Sequence, residues 1–483
     1  MFKIKKSGLI FLIVAAMIFI FAACGEQLNE TNADGVADAE IHVESEGSEE
    51  SEDPEESEAP DASQQPEESE APESPEESPE LLRRLALETP QEPGDGLHWV
   101  GAWSTAMYFG DVDHSWNQGI RDAGIVARDR LPDSTLRQLI RPAIGGDTVR
   151  LTFSNEYGET PLTINSVSIA IASGRPGTDI IDTATNTAIT FDGNAGAVIP
   201  AGEFITSDSV AFPIDALERV AVSIYFGEMP DLVTSHIAAR ANSFTEPGDL
   251  TLAETLDGRT NTNWFVLCNL DVLAPEHYRS IVVIGDSITD GFGISGEQYL
   301  RWVDILMNNL QEHESTQHLS VINMGIGGNG LVGNQNDNPS PVLYLFERDV
   351  LNQPGVGYVV IQIGVNNLAF GAIATAGPMI NAYTELIEAA HAHDINVFLA
   401  TITPYTPESG RREREQIRNT INDWMFDQYA DGAVYGLLDF DMLLRDPGNP
   451  SRILPEYDRD GIHPNNAGYA RMGELLFNAL YSR

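Results

Sequence analysis

Hydrophobic and polar residues alternate along the chain from His98 to about Leu273, with a period of two. In "TVRLTFSNEYG", Val149, Leu151 and Phe153 are separated by polar residues, and the run ends in a turn built from Asn and Gly. "VAVSIYFG" repeats the pattern with Val220, Val222, Ile224 and Phe226; "LTINSVSIAIAS" and "AITFDGNAGAVIPAGEFI" continue it. Successive side chains of a strand point to opposite faces, so the alternation predicts short, half-buried strands closed by turns. Five strands can be argued from it, without their order. They predict an all-β sandwich, jelly-roll-like, over residues 96–275.

Past Pro275 the rhythm changes. Continuous apolar runs appear in "SIVVIG", "SVINMG", "YVVIQIG", "NVFLATI" and "AVYGLLDF". Between them lie stretches with helical spacing, among them "QYLRWVDILMNNL", "PMINAYTELIEAAHAH" and "RREREQIRNTINDWMFDQYA". Strands buried on both faces, alternating with helices, predict a five-stranded parallel sheet in a three-layer α/β/α domain over residues 276–483. In such sheets ligands gather outside the carboxyl ends of the strands.

Charge divides the rest of the chain. The formal charge is −46. Residues 25–95 hold 25 acidic residues against two arginines, which is half of it. That acidic stretch has too little apolar surface to offset the entropy of ordering, and reads as a disordered, self-repelling linker. Fully extended it would span roughly 230 Å; as a coil, about 50 Å before repulsion lengthens it. Before it, three lysines precede an uncharged run, Leu9 to Ala23, closed by "FAAC". The run is short for a membrane span of about 20 residues and suits a signal peptide over residues 1–24. "FAAC" resembles a bacterial lipobox, with Phe where such boxes usually carry Leu, and would make Cys24 the lipidated N-terminus. The other reading is an uncleaved anchor. Either way the expected location is outside the cell, tethered to the outer face of a bacterial membrane. Cys268, in "WFVLC", is the only other cysteine and reads as a core residue. The remaining residues carry a net −26, which argues against a nucleic-acid partner.

Three of the predicted strands end in residues suited to one kind of chemistry. The first runs into "GDSITDGFG", where Ser287 leaves the sheet. The second ends in "NMGIGGNGLVG", whose glycines let backbone N–H groups approach a ligand. The third ends in "GVNNL", offering the Asn366 amide. A nucleophile, a donor loop and an amide converging on one crevice are the parts of an acyl-transfer site with an oxyanion hole. A seryl hydroxyl also needs a base. Asp-x-x-His occurs three times, ending at His98, His114 and His463. Only His463, with Asp460, follows the fifth strand and opens the last helix.

Taken together, "GDSI", Gly328 in "NMGIGGNG", Gly364 and Asn366 in "GVNN", and Asp460 with His463 resemble the blocks of the SGNH (GDSL-type) hydrolases. The family reads Gly-x-Asn-Asp where this chain has Asn367. The resemblance covers about 200 residues and implies Ser287 as nucleophile, His463 as base and Asp460 as its orienting partner. Gly328 and Asn366 would be oxyanion donors beside the Ser287 N–H, with no metal or organic cofactor. "HWVGAWSTA", "TLRQLIRPAIGGDTVRLTFSNEYGETPLTI" and "RWVDIL" resemble a two-domain bacterial branch similar to esterases of acylated plant polysaccharide. The expected activity is removal of short acyl groups, acetyl foremost, from carbohydrate. The alternatives are a lysophospholipase or arylesterase, or a non-catalytic carbohydrate-binding lipoprotein. Asp286 and Asn323 read as loop-structuring residues, and Arg301 and Trp302 as surface and packing residues. Trp99, Trp103 and Trp116 read as core in preference to sugar-stacking platforms.

Overall fold

The computed structural model describes residues 93–94, 96–110, 126–333, 340–370, 373–405 and 412–482. The expected signal peptide, the acidic stretch but for residues 93–94, His114 and Trp116 lie outside these residues.

Two antiparallel sheets account for most of the period-two region. One runs in the order Leu97–Ser104, Leu267–Pro275, Gly146–Ser154, Phe204–Thr206, with Val210–Ile214 also on Gly146–Ser154. The other runs Arg259–Asn261, Ser243–Pro247, Ser134–Ile140, Val220–Phe226, Leu162–Ile171, Thr187–Ile189. Val149, Leu151 and Phe153 from the first meet Leu136, Ile164, Val222 and Ile224 from the second in one core. In Gly146–Ser154 the alternation is as read, with Arg150 and Thr152 half-buried between buried neighbours. Val220–Phe226 differs, because Ala221 and Ser223 on its other face are buried too. A smaller cluster of Leu139, Ala170, Ile181, Phe244 and Leu256 packs against Ala221 and covers that face.

The second half contains a parallel sheet of five strands: Arg279–Gly285, Leu319–Gly325, Val356–Gln362, Asn396–Ala400 and Gly436–Leu438. Their order across the sheet is second, first, third, fourth, fifth. The chain therefore reverses its winding after the first crossover, and right-handed connections then send helices to both faces. Helix Asn466–Tyr481 closes the side of Trp302–Gln311, where Gly473 lies so near that a Cβ would stand 2.5 Å from the Trp302 carbonyl. Register decides where the functional loops begin. Gly285 stands opposite both Gly325 and Gln362, so the first three strands end at one level.

Leu319–Gly325 is an edge of this sheet, and a bare edge invites pairing with another chain. Here strand Leu97–Ser104 and the residue after it cover it. Thr105 forms a parallel bridge with Asn323, and Ser320 Oγ donates to the Gly101 carbonyl at 2.7 Å. A Cβ on Gly101 would stand 2.5 Å from Ile322 Cδ1, so a larger residue would require the end of that side chain to shift.

Candidate active site

The first strand ends in a turn tight enough that a Cβ on Gly285 would fall 2.3 Å from Thr289 Oγ1 and 2.7 Å from the Gln362 carbonyl. Asp286 then caps the short helix Ser287–Asp290, its Oδ1 accepting the Ile288 N–H at 3.0 Å. Ser287 is the first helical residue and is 8% exposed. Gly291, at φ 88°, ends the helix, and the Gly291 and Phe292 N–H groups both donate to the Ser287 carbonyl.

His463 arrives from the other end of the chain. Asn465 caps the last helix by accepting from Ala467 and Gly468, and the loop before it is fixed by its own hydrogen bonds. Asp458 accepts from the Gly461 N–H at 2.7 Å, and Arg459 N–H donates to the His463 carbonyl. Asp460 Oδ1 accepts from the Ile462 and His463 backbone N–H groups at 3.2 and 2.9 Å. The carboxylate thus already points at the ring when the ring arrives. His463 Nδ1 lies 2.9 Å from Asp460 Oδ2, and Nε2 lies 2.8 Å from Ser287 Oγ. Phe292 stacks on the imidazole at 4.1 Å between ring centroids.

Burial pushes the His463 ring below the ordinary histidine value, with Asp460 opposing it and Arg459 and Arg240 adding to it. The ring is therefore neutral at neutral pH. Burial works to raise the Asp460 carboxyl, but the backbone N–H, charge and ring hydrogen bond of His463 outweigh it and hold it low. Asp286 is the reverse case. Burial raises its carboxyl to about 7, against the pull of its backbone donors, and its Oδ2 is buried without a partner.

The two remaining loops meet each other beside this pair. Gly328 sits at φ +80° in the turn from Ile326 to Asn329, with open space where a Cβ would be. Asn366, in the short helix Val365–Ala369, donates from Nδ2 to the Asn329 carbonyl at 2.8 Å. An amide nitrogen carries two hydrogens, so this bond commits one of them. Asn367, the residue that departs from the family pattern, is buried and bonds the same loop twice. Its Oδ1 accepts from the Leu331 N–H at 2.7 Å, and its Nδ2 donates to the Val332 carbonyl at 2.8 Å. An aspartate could accept the first bond but not donate the second. Asn323 ties the loop to the serine helix, donating to the Thr289 carbonyl at 3.0 Å and accepting from the Gly325 N–H.

His98 is elsewhere, against the Tyr278 carbonyl at the start of the first parallel strand. Trp103 is buried edge-on to Trp264. Trp302 is fully buried, but Arg301 is not the surface residue expected. It is 9% exposed, donates to the Asp290 carbonyl at 2.9 Å and reaches the Ala239 carbonyl of the β region. The sequence reading also passed over His236 and Asp290. Asp290 Oδ1 lies 3.2 Å from His236 Nε2, and Oδ2 lies 3.8 Å from Arg240. Strand Val233–His236 and the segment after it therefore fasten directly onto the serine helix. Among the described residues no group of three His, Cys, Asp or Glu is arranged to hold a metal ion.

Residues 283–471 match the model of the GDSL-like Lipase/Acylhydrolase family. Similar solved structures include a GDSL-like lipase from Bacteroides thetaiotaomicron (22% identity, 42% of this chain and 88% of that one, TM-score 0.33). An aryl esterase from Mycobacterium smegmatis (17%, 42% and 99%, TM-score 0.35) and a carbohydrate acetylesterase from Sinorhizobium meliloti (14%, 42% and 99%, TM-score 0.34) are others. No curated protein matches the chain. The α/β region is an ester-hydrolase region of the GDSL/SGNH type.

Proposed function

We propose that this protein is an exported serine esterase that removes short acyl groups, acetyl foremost, from carbohydrate. The observation that carries the reading is the unbroken line from Ser287 Oγ through His463 to Asp460, at 2.8 and 2.9 Å, on a segment matching an acylhydrolase family. In the proposed cycle Ser287 Oγ attacks the ester carbonyl while its proton passes to His463 Nε2. Asp460 holds the ring through Nδ1 and stabilises the imidazolium that forms. The developing oxyanion is held by the Ser287 and Gly328 N–H groups and by the Asn366 amide hydrogen not given to Asn329. As the C–O bond breaks, His463 gives its proton to the leaving sugar oxygen, and water, deprotonated by the same ring, then attacks the acyl-serine and releases the acid.

Preference for a short acyl group rests on the confined nucleophile, 8% exposed beside a histidine capped by the Phe292 ring. Preference for a sugar rests on Phe292 and Phe370, 41% and 70% exposed, which follow the nucleophile and amide elements. Such rings offer flat apolar faces to the C–H face of a pyranose. The test is hydrolysis of p-nitrophenyl esters, from acetate to octanoate, by the full-length protein and its Ser287→Ala variant. Activity confined to the shortest esters and lost in the variant is expected. Activity rising with chain length would move the substrate to lipids, and equal activity in both proteins would remove Ser287 from the mechanism.

Location is proposed from the N-terminal sequence: lipidation of Cys24 holds the enzyme on the outer face of a bacterial cell membrane. A Cys24→Ala protein should then leave the membrane fraction, and its retention there would sink the idea.

A further inference from the structure

A second cavity, of about 280 Å³, lies where the first antiparallel sheet meets the parallel one. Neither Ser287 nor His463 lines it. Its walls come from strands Gly146–Ser154, Phe204–Thr206 and Leu267–Pro275 on one side, and from Met324 and the segment around Arg348 on the other. The volume is close to the lower bound, about 300 Å³, of ordinary small-molecule sites, which suits one small ring.

The lining chemistry narrows the ligand. Two guanidinium groups and three carboxylates face the cavity, and they are paired. Arg150 bonds Asp271 at 2.8 Å, while Arg348 bonds Glu156 at 2.7 Å and Asp349 at 2.6 Å. An anion would have to break one of these pairs and leave a buried partner uncompensated, which is costly. A neutral polyol would not. It could use the outer lone pairs of the carboxylates and the neutral groups between them. Thr152 and Thr206 line the same space, their exposed hydroxyls 3.0 Å apart. One hydroxyl hydrogen serves that bond, so the pair keeps a donor and free lone pairs for a sugar hydroxyl. At the surface the cavity ends in Phe204, 44% exposed, whose ring is free to stack on a sugar face.

We propose that this cavity binds a neutral, unacylated sugar unit, apart from the hydrolytic site. Phe204 is its stacking platform and the Thr206 hydroxyl a partner for a ring hydroxyl. The class of ligand rests on the carbohydrate reading of the function; the residues are different ones. Such a subsite would hold a polysaccharide at bare units while Ser287 works on acylated ones.

The test is calorimetric titration of the full-length Ser287→Ala protein with free xylose, glucose and galactose and with their β-linked dimers. Phe204→Ala and Thr206→Val are then introduced separately, and p-nitrophenyl acetate hydrolysis is followed with Ser287 restored. Binding of at least one sugar, weakened roughly tenfold by each substitution, is expected. Hydrolysis of the small ester should stay unchanged. Binding that both substitutions leave intact would place the sugar elsewhere and overturn the proposal. So would the absence of binding by a protein that still cleaves short esters, an outcome that leaves the esterase reading standing. Conversely, sugar binding lost with Phe204 in a protein without esterase activity would support the subsite and count against the esterase.

Discussion

Ser287 and His463 come from opposite ends of the hydrolase region, yet the hydrogen bond between them is of ordinary length. What makes the pair reactive is the state of the ring. Burial keeps His463 neutral, and Asp460 opposes that effect by favouring the charged form. A base must be neutral to accept a proton, so kcat/KM should rise with pH and level off, with a midpoint below about 6.5. Asp460→Asn removes the charge that supports the imidazolium. The midpoint should therefore move further down while the plateau falls, by roughly ten-thousandfold. A midpoint that moved upward would contradict the assignment, which a pH–rate profile of both proteins decides. The proposed oxyanion donors make a separate prediction. Asn366→Ala should lower kcat about 10²–10³-fold with little change in KM, because its amide acts on charge that appears only in the transition state. A rise in KM alone would give Asn366 a binding role instead.

Elements, more than single residues, decided how much could be read in advance. The serine, the glycine loop and Asn366 were legible because each follows a continuous apolar run, and buried parallel strands share one end. Gly285, Gly325 and Gln362 standing side by side is the physical form of that rule. The buttress on the serine helix was not legible. His236 closes a four-residue strand, "VTSH", 54 residues from Asp290, and no periodicity or spacing relates them. Arg301 was misread for the same reason: its partners, the Asp290 and Ala239 carbonyls, are backbone groups without a sequence signature. The burial of Ala221 and Ser223 was hidden because alternation reports one covered face and is silent about a second. The buttress has a measurable consequence. Asp290→Ala leaves His236 and Arg240 without their carboxylate and removes one tie between the β region and the serine helix, the Arg301 bridge remaining. It should cost about 3 kcal/mol of stability in denaturant unfolding, and lower kcat through the displaced helix. Unchanged stability would mean that the other contacts of the helix, through Arg301 and Asn323, hold it without the carboxylate.

At the scale of the whole molecule, the two rhythms of the sequence describe two kinds of sheet that do not stand apart. The β region covers the exposed edge of the parallel sheet through Gly101 and Thr105, and fastens the serine helix through His236. Ion pairs and hydrogen bonds cross at further points: Arg348 to Glu156, and Arg141 to Asn308 at 2.9 Å. Neither part can lose its fold without uncovering the other's edge and buried polar groups. Unfolding of the β region should therefore carry the hydrolase region with it. Phe153 lies wholly inside the β core, so Phe153→Ala should cost about 3–5 kcal/mol there while touching nothing in the hydrolytic site. If the two parts are coupled, heat inactivation of the esterase will shift to lower temperature by the same amount as the calorimetric transition, and that transition will remain single. If they are independent, calorimetry will split into two transitions, and activity will follow only the one that Phe153→Ala leaves in place. The second result would reduce the shared edge to a docking contact between separately stable domains.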